Sequence, residues 1–230
     1  MEKVLVVAAH PDDEVLGCGG TLAKHIALGD SVRVVFLAEG VSARFPPEAL
    51  GSKEVAEASA SRNRDAVTAL GLLGLQEGNI FSSERPCCRL DQVPLLDLVK
   101  QIEFHIEEYM PSRIYSHAAY DVNIDHTRTY QALLAATRPL ENLSVNIVMS
   151  FEVLSSTEWN PQKPFHANVF SDVSNYMDVK LAALRAYGDE IRNPPHPRSM
   201  DVVKSLANYR GAQVGVMYAE AFNMIRAKNL

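Results

Sequence analysis

The sequence predicts a three-layer α/β/α domain built on a mostly parallel sheet, and three observations point there. Short aliphatic or β-branched runs alternate with longer segments of helical periodicity. Several of those runs end abruptly in clusters of polar, chemistry-bearing residues, as the strands of an open parallel sheet do at their carboxyl ends. The chain has 230 residues, 47% hydrophobic and 22% charged, enough for one sizeable core. No repeat, low-complexity tract or long linker divides it, so residues 1–230 read as a single domain.

Residues 4–9 form the first strand, which runs into His10-Pro11-Asp12-Asp13-Glu14 and then Gly17-Cys18-Gly19-Gly20. These glycines release the backbone into a helix over 21–28, stopped at Gly29. Residues 31–38 form a second strand, parallel to the first by βαβ logic. The glycine spacing does not match a dinucleotide fingerprint, which leaves nucleotide binding as a weak alternative. Residues 41–51, with Pro46-Pro47, read as a loop able to cover the site. A helix over 53–73 carries Ala66, Leu70 and Leu73 on one stripe, with Arg62, Arg64 and Asp65 near its middle. The arginines by themselves read as a solvated face. Residues 95–109 form a strongly amphipathic helix ended by Pro111, and the stretch before it, 76–93, reads as loop or irregular edge strand.

A short strand over 113–117 leads into a second polar loop, from His117 to His126, and then a helix over 127–137. Residues 146–153 form another strand. In the run Ser155-Ser156-Thr157-Glu158-Trp159 that follows, the hydroxyls and the single Trp either line a sugar-sized pocket or, for the Trp, anchor packing. A helix over 179–191 precedes a proline-locked loop, 193–199, that presents His196 and Arg198. Helices over 199–209 and 216–227 complete the chain.

A net charge of −6 and a pI near 5.6 argue against nucleic acid and anionic membrane as partners. A small or neutral substrate is easier to accommodate, and a homo-oligomer is compatible with this composition. Cys18, Cys87 and Cys88 are odd in number and include an adjacent pair ill suited to a disulfide, which suggests a reducing, cytoplasmic setting. The chain starts on a strand and has no apolar run of about 18 residues, so no membrane insertion is expected.

The chemistry lies in the two polar loops. An imidazole at His10 and a carboxylate at Asp13 can bend around one divalent ion while Asp12 stays free as a base; the alternative is a polar turn capping a helix. His126, at the start of its helix, reads by itself as a helix-start residue. Taken with His10 and Asp13 it completes two His and one carboxylate, the count of a catalytic zinc site with a position open for water.

The His10-Pro11-Asp12-Asp13-Glu14 stretch after an apolar strand, the Arg62 to Asp65 helix, and Asp121-Val122-Asn123-Ile124-Asp125-His126 together resemble the PIG-L (LmbE-like) zinc-dependent N-deacetylases over most of the chain. The resemblance implies a Rossmann-like LmbE fold and removal of an N-acetyl group from an amino sugar or sugar conjugate. It implies Zn2+ held by His10, Asp13 and His126, Asp12 as general base, and Arg62 near the substrate. Better-known members carry a His where this chain has Asn123. His117 and Asn123 are therefore the candidates for sharing the oxyanion charge, with Asp125 orienting its neighbours. His196 and Arg198 supply further donors for a sugar or a phosphate on its aglycone. O-deacetylation of a sugar, and a non-catalytic nucleotide- or sugar-binding protein on the same scaffold, are the competing readings.

Overall fold

Strands that are apolar on both faces need cover on both sides, and the chain supplies it with two unequal helical layers. A computed structural model describes residues 1–141 and 143–228. Its strands are β1 (Lys3–Ala8), β2 (Ser31–Phe36), β3 (Ile80–Phe81), β4 (Arg113–His117), β5 (Ile147–Phe151), β6 (Val169–Asp172) and β7 (Ala219–Ala227). They form one sheet in the order β3-β2-β1-β4-β5-β7-β6. The first five are parallel, and β7 runs antiparallel between β5 and β6.

The helices are α1 (Asp13–Ala27), α2 (Lys53–Leu72), α3 (Leu95–Tyr109), α4 (Ile124–Ala136), α5 (Met177–Ala186) and α6 (Met200–Ala212). Alternate β1 residues serve opposite layers. Val4, Val6 and Ala8 pack with Leu22, Leu70, Leu184 and Val203, from α1, α2, α5 and α6. Leu5 and Val7 pack with Leu98, Ile102 and Leu133 of α3 and α4. This is the three-layer arrangement the sequence predicts. No helix among the described residues is long and apolar enough to cross a membrane.

Two expectations fail. The first helix begins at Asp13 rather than at residue 21, so the glycines lie inside α1, with a kink at Cys18. Their role is close approach. A Cβ on Gly17 would sit 2.3 Å from Cδ2 of Phe151, so only glycine lets α1 settle on β5. The second failure is the helix expected over 216–227, which is mostly strand β7. Ala, Glu, Met and Arg favour a helix there, but docking between β5 and β6 overrides that weak preference. Glu220 is then buried, and its carboxylate accepts from Gly20 N (2.9 Å), Thr21 N (2.7 Å) and Lys180 Nζ (2.6 Å).

Candidate metal centre and active site

The sheet reverses its winding between β1 and β4. The chain leaves β1 towards β2 on one side and later returns to β4 on the other, so the loops after β1 and β4 border a crevice at the carboxyl ends of the strands. Residues 9–13 enter it from one side. Glu14 holds that turn in place: its Oε2 accepts from Asp12 N at 2.9 Å, and its Oε1 accepts from the Tyr187 hydroxyl. Asp12 itself sits at φ 117, a conformation an L side chain rarely adopts, and such outliers gather at functional sites. Gly40 (φ 82) packs against the back of the turn, where a Cβ would come within 3.2 Å of His10 Cβ and 3.3 Å of Pro11 Cδ.

From the β4 side come Asp121, Asn123, Asp125 and His126. The Asn123 side-chain oxygen accepts from Asp125 N at 2.9 Å and caps α4, which places His126 in the helix's first turn. His10, Asp13 and His126 converge, each offering an atom within 4.8 Å of the others. Asp13 Oδ2 lies 3.3 Å from His10 Nδ1 and 3.2 Å from His126 Nε2. Each ring turns its other nitrogen outward to a carboxylate. His10 Nε2 is 2.8 Å from Asp125, and His126 Nδ1 is 3.1 Å from Asp121. Asp125 is in turn fixed by Cys88 N (2.6 Å) and Leu90 N (2.8 Å), and Asp121 by Ser156 and by Thr157 Oγ1 (2.8 Å).

This pattern fits a divalent metal. Ligating imidazoles characteristically donate their far N–H to a carboxylate. Asp13 Oδ1 and His126 Nε2 are also buried with no hydrogen-bond partner among the described residues, which leaves both atoms available to an ion. Without the ion, protons take its place: the carboxylates outweigh burial and hold His10 up to about 10 and His126 up to about 9.

Asp12, 4% exposed, stands beside this cluster with both arginine contacts on Oδ2, from Arg198 Nη1 at 2.8 Å and Arg62 Nη1 at 3.4 Å. Burial pushes its carboxyl up to about 7 despite those two cations, with Asp13 and Glu190 adding to the rise. Arg62 is buried, not solvated, because it spans Asp12 and Glu190. Glu190 also binds Arg198 Nη1 (3.0 Å) and Arg44 of the 41–51 loop. His196 sits one step further out: its Nδ1 accepts from Arg198 N at 3.0 Å, and its ring faces Trp159 at 6.5 Å.

His117, considered above for the oxyanion, is 0% exposed. Its Nε2 accepts from Ala9 N at 2.8 Å, its ring stacks on His126 at 4.0 Å, and burial with the His126 charge pushes it down to about 3. It supports the centre from behind. Sequence reasoning missed Glu190, which arrives from a turn far along the chain and carries no local signal. It also gave Asp121 no role, although that residue lies inside the second loop.

The fold and this cluster define a class: a doubly wound α/β scaffold with a convergent His-Asp-His cluster and a further buried carboxylate at its switch point. Residues 5–137 match the family PIG-L, GlcNAc-PI de-N-acetylase, and the chain belongs to that family. The "Uncharacterized deacetylase YaiS" of Escherichia coli (strain K12) is 28% identical over 192 residues, covering 80% of this chain and 89% of the relative. The diacetylchitobiose deacetylase of Thermococcus kodakarensis is 23% identical over 233 residues, covering 98% of this chain and 84% of the relative. The solved structure of GalB, the 4-carboxy-2-hydroxymuconate hydratase from Pseudomonas putida KT2440, superposes with a TM-score of 0.75 at 21% identity, covering 100% of this chain and 98% of that one. That likeness concerns the fold alone, so the chemistry has to come from the side chains.

Proposed function

We propose that residues 1–230 form one catalytic domain, a metal-dependent hydrolase that removes the acetyl group from the nitrogen of an amino sugar or sugar conjugate of the N-acetylglucosamine type. The observation that carries this reading is the buried convergence of His10, Asp13 and His126 with Asp12 alongside. His10 Nδ1, Asp13 and His126 Nε2 would hold the ion; two imidazoles and a carboxylate suit Zn2+ and accept other divalent transition metals. Such an ion supplies Lewis acidity, polarising an amide carbonyl and lowering the pKa of water toward about 7.

The remaining work falls to the protein's own groups. Asp12 takes a proton from the attacking water on Oδ1, the oxygen its arginines leave free, and passes it to the departing amine nitrogen. Arg198 and Arg62 fix that carboxylate by gripping Oδ2. Asp125 and Asp121 keep the outer nitrogens of His10 and His126 protonated, so that the inner ones face the ion. Asn123 has its oxygen tied to the α4 cap, which leaves its amide nitrogen as the free donor for developing oxyanion charge, while His117 positions His126. Arg62, Arg198 and His196 offer donors to sugar hydroxyls or a phosphate. The partner is thus a small sugar, and free cysteines, odd in number, suit a reducing, cytoplasmic setting.

The test is acetate release from an N-acetylglucosamine conjugate, measured with metal content. Loss of a general base costs typically 10²–10⁴-fold in rate. Asp12→Asn, which retains an acceptor oxygen for the arginines, should therefore be folded, metal-replete and slowed by that factor. Release from O-acetyl but not N-acetyl sugars would overturn the amide assignment, and an Asp12→Asn variant within tenfold of the parent kcat would overturn the base.

A further inference from the structure

The stretch before α3, which reads in the sequence as loop or irregular edge strand, brings a pair of thiols against the metal centre. Cys87 Sγ lies 3.5 Å from His10 Nε2 and 3.6 Å from Cys88 Sγ. Cys87, His10 and Asp125 each offer an atom within 4.8 Å of the others. This is a different set of donors from the centre described above, because it uses the opposite nitrogen of His10.

The thiol pair is held by its backbone. Cys87 N donates to Glu39 Oε1 (2.8 Å) and Ser42 Oγ (2.9 Å), and Cys88 N donates to Asp125. Cys87 is buried and Cys88 is exposed, so one thiol is held at the centre and the other reaches solvent. A disulfide is the poorer outcome for such a pair. Adjacent Cα atoms across a trans peptide are about 3.8 Å apart, short of the roughly 4.4–6.8 Å that an unstrained bridge needs. A tetrahedral ion fits better. With metal–sulfur bonds near 2.3 Å and metal–nitrogen bonds near 2.05 Å, the edges of its coordination shell are about 3.8 Å between sulfurs and about 3.6 Å from sulfur to nitrogen. The Cys87–Cys88 and Cys87–His10 separations, 3.6 and 3.5 Å, are close to those edges.

We propose that Cys87 and Cys88, with His10 Nε2 and Asp125, form a second site, selective for thiophilic divalent cations, whose occupation shuts down the neighbouring catalytic centre. Thiolate donors select soft ions over the harder ones that carboxylates hold. Binding releases the two thiol protons and the proton on His10 Nε2. It also withdraws that nitrogen from Asp125, the contact that sets the orientation of the His10 ring. The functional consequence rests on the deacetylase reading above; the binding itself does not.

The experiment uses Cd2+ on protein already loaded with one equivalent of Zn2+, following the thiolate-to-cadmium charge-transfer band in the ultraviolet alongside acetate release. The expected result is a band that saturates at one added equivalent while zinc is retained, with activity lost in parallel. The band should disappear in Cys87→Ser and weaken in Cys88→Ser, and Cys88→Ser should keep its activity at cadmium levels that silence the parent. Circular dichroism establishes that each variant is folded. Cadmium that displaces zinc without a sulfur band, or a band undiminished in both variants, would overturn the site. A normal band in protein that releases no acetate even before cadmium is added would instead count against the deacetylase reading and leave the site standing. A band with activity unaffected would refute the shutdown.

Discussion

The parallel part of the sheet and the antiparallel end serve the same crevice in different ways. The loops after β1 and β4 bring His10, Asp12, Asp13 and His126, the groups proposed to bind metal and move a proton. The chain after β5 contributes no proposed ligand. Ser156 and Thr157 clamp Asp121, while Glu190 grips Arg62 and Arg198 grips Asp12. The family match, residues 5–137, ends before β5 begins at Ile147. The proposed chemistry thus lies within the matched stretch and part of its control beyond it, so perturbing the first should abolish function and perturbing the second should retune it.

The largest expected effect comes from removing the metal. Chelation should eliminate acetate release, and the bare cluster should then make stability depend on pH with a definite sign. His10 and His126 are raised to about 10 and about 9 from an ordinary 6.5. Their contribution is therefore fully present below about pH 6.5 and is lost as pH rises through 9 to 10. Glu14, raised by burial to about 8, acts in the same direction over the lower part of that window. Melting temperatures of chelated protein should fall from pH 6.5 to pH 10 more steeply than those of metal-loaded protein. Parallel curves would mean that the ion does not replace these protons.

A smaller effect is expected one contact further out. Asp121 holds the outer nitrogen of His126 and is pulled down to about 2, against its burial, by hydrogen bonds from His126 and Ser156. Asp121→Asn should keep the fold and weaken metal affinity by about 10–100-fold, the usual range for a residue behind a ligating histidine. A competition titration against a chromophoric chelator measures this. Unchanged affinity would remove the β5 side from any part in holding the ion.

The same division decides what was legible in the sequence. The proposed first-loop ligands follow a strand whose apolar run and abrupt stop are visible in the chain, and His126 stands at the start of a helix read over 127–137. Three-layer packing followed from strands apolar on both faces. What failed needed partners distant in sequence. The helix-forming composition of 219–227 gave no hint that β5 and β6 would hold it extended. Gly17 read as releasing the backbone ahead of a helix because its real constraint is the Phe151 ring, and Arg62 by itself read as part of a solvated face because Glu190 lies far along the chain. His117 was hard to place for another reason: a polar residue at a strand end can face the crevice or the protein behind it, and the contact with the Ala9 amide appears only in the fold.

The subtlest test asks whether the C-terminal groups set the behaviour of Asp12 or merely surround it. Burial is the main cause of its raised pKa; Arg198 and Arg62 pull it down, and Asp13 and Glu190 push it up. Glu190→Gln removes a negative neighbour and leaves Arg62 and Arg198 freer to face Asp12, so both consequences lower its pKa. Arg198→Gln removes the cation bound 2.8 Å from Oδ2 and raises it. The acid limb of the kcat/KM profile reports the base in the free enzyme. It should therefore move to lower pH in Glu190→Gln and to higher pH in Arg198→Gln, each by on the order of one unit or less at the effective dielectric of such sites. Arg198→Gln should also raise KM if the guanidinium meets substrate, whereas Glu190→Gln should leave KM nearly unchanged. Opposite displacements of one limb are hard to obtain from general loosening of the site, which would move both variants the same way. Limbs that shift together, or not at all, would break the proposed division of labour even with every metal ligand confirmed.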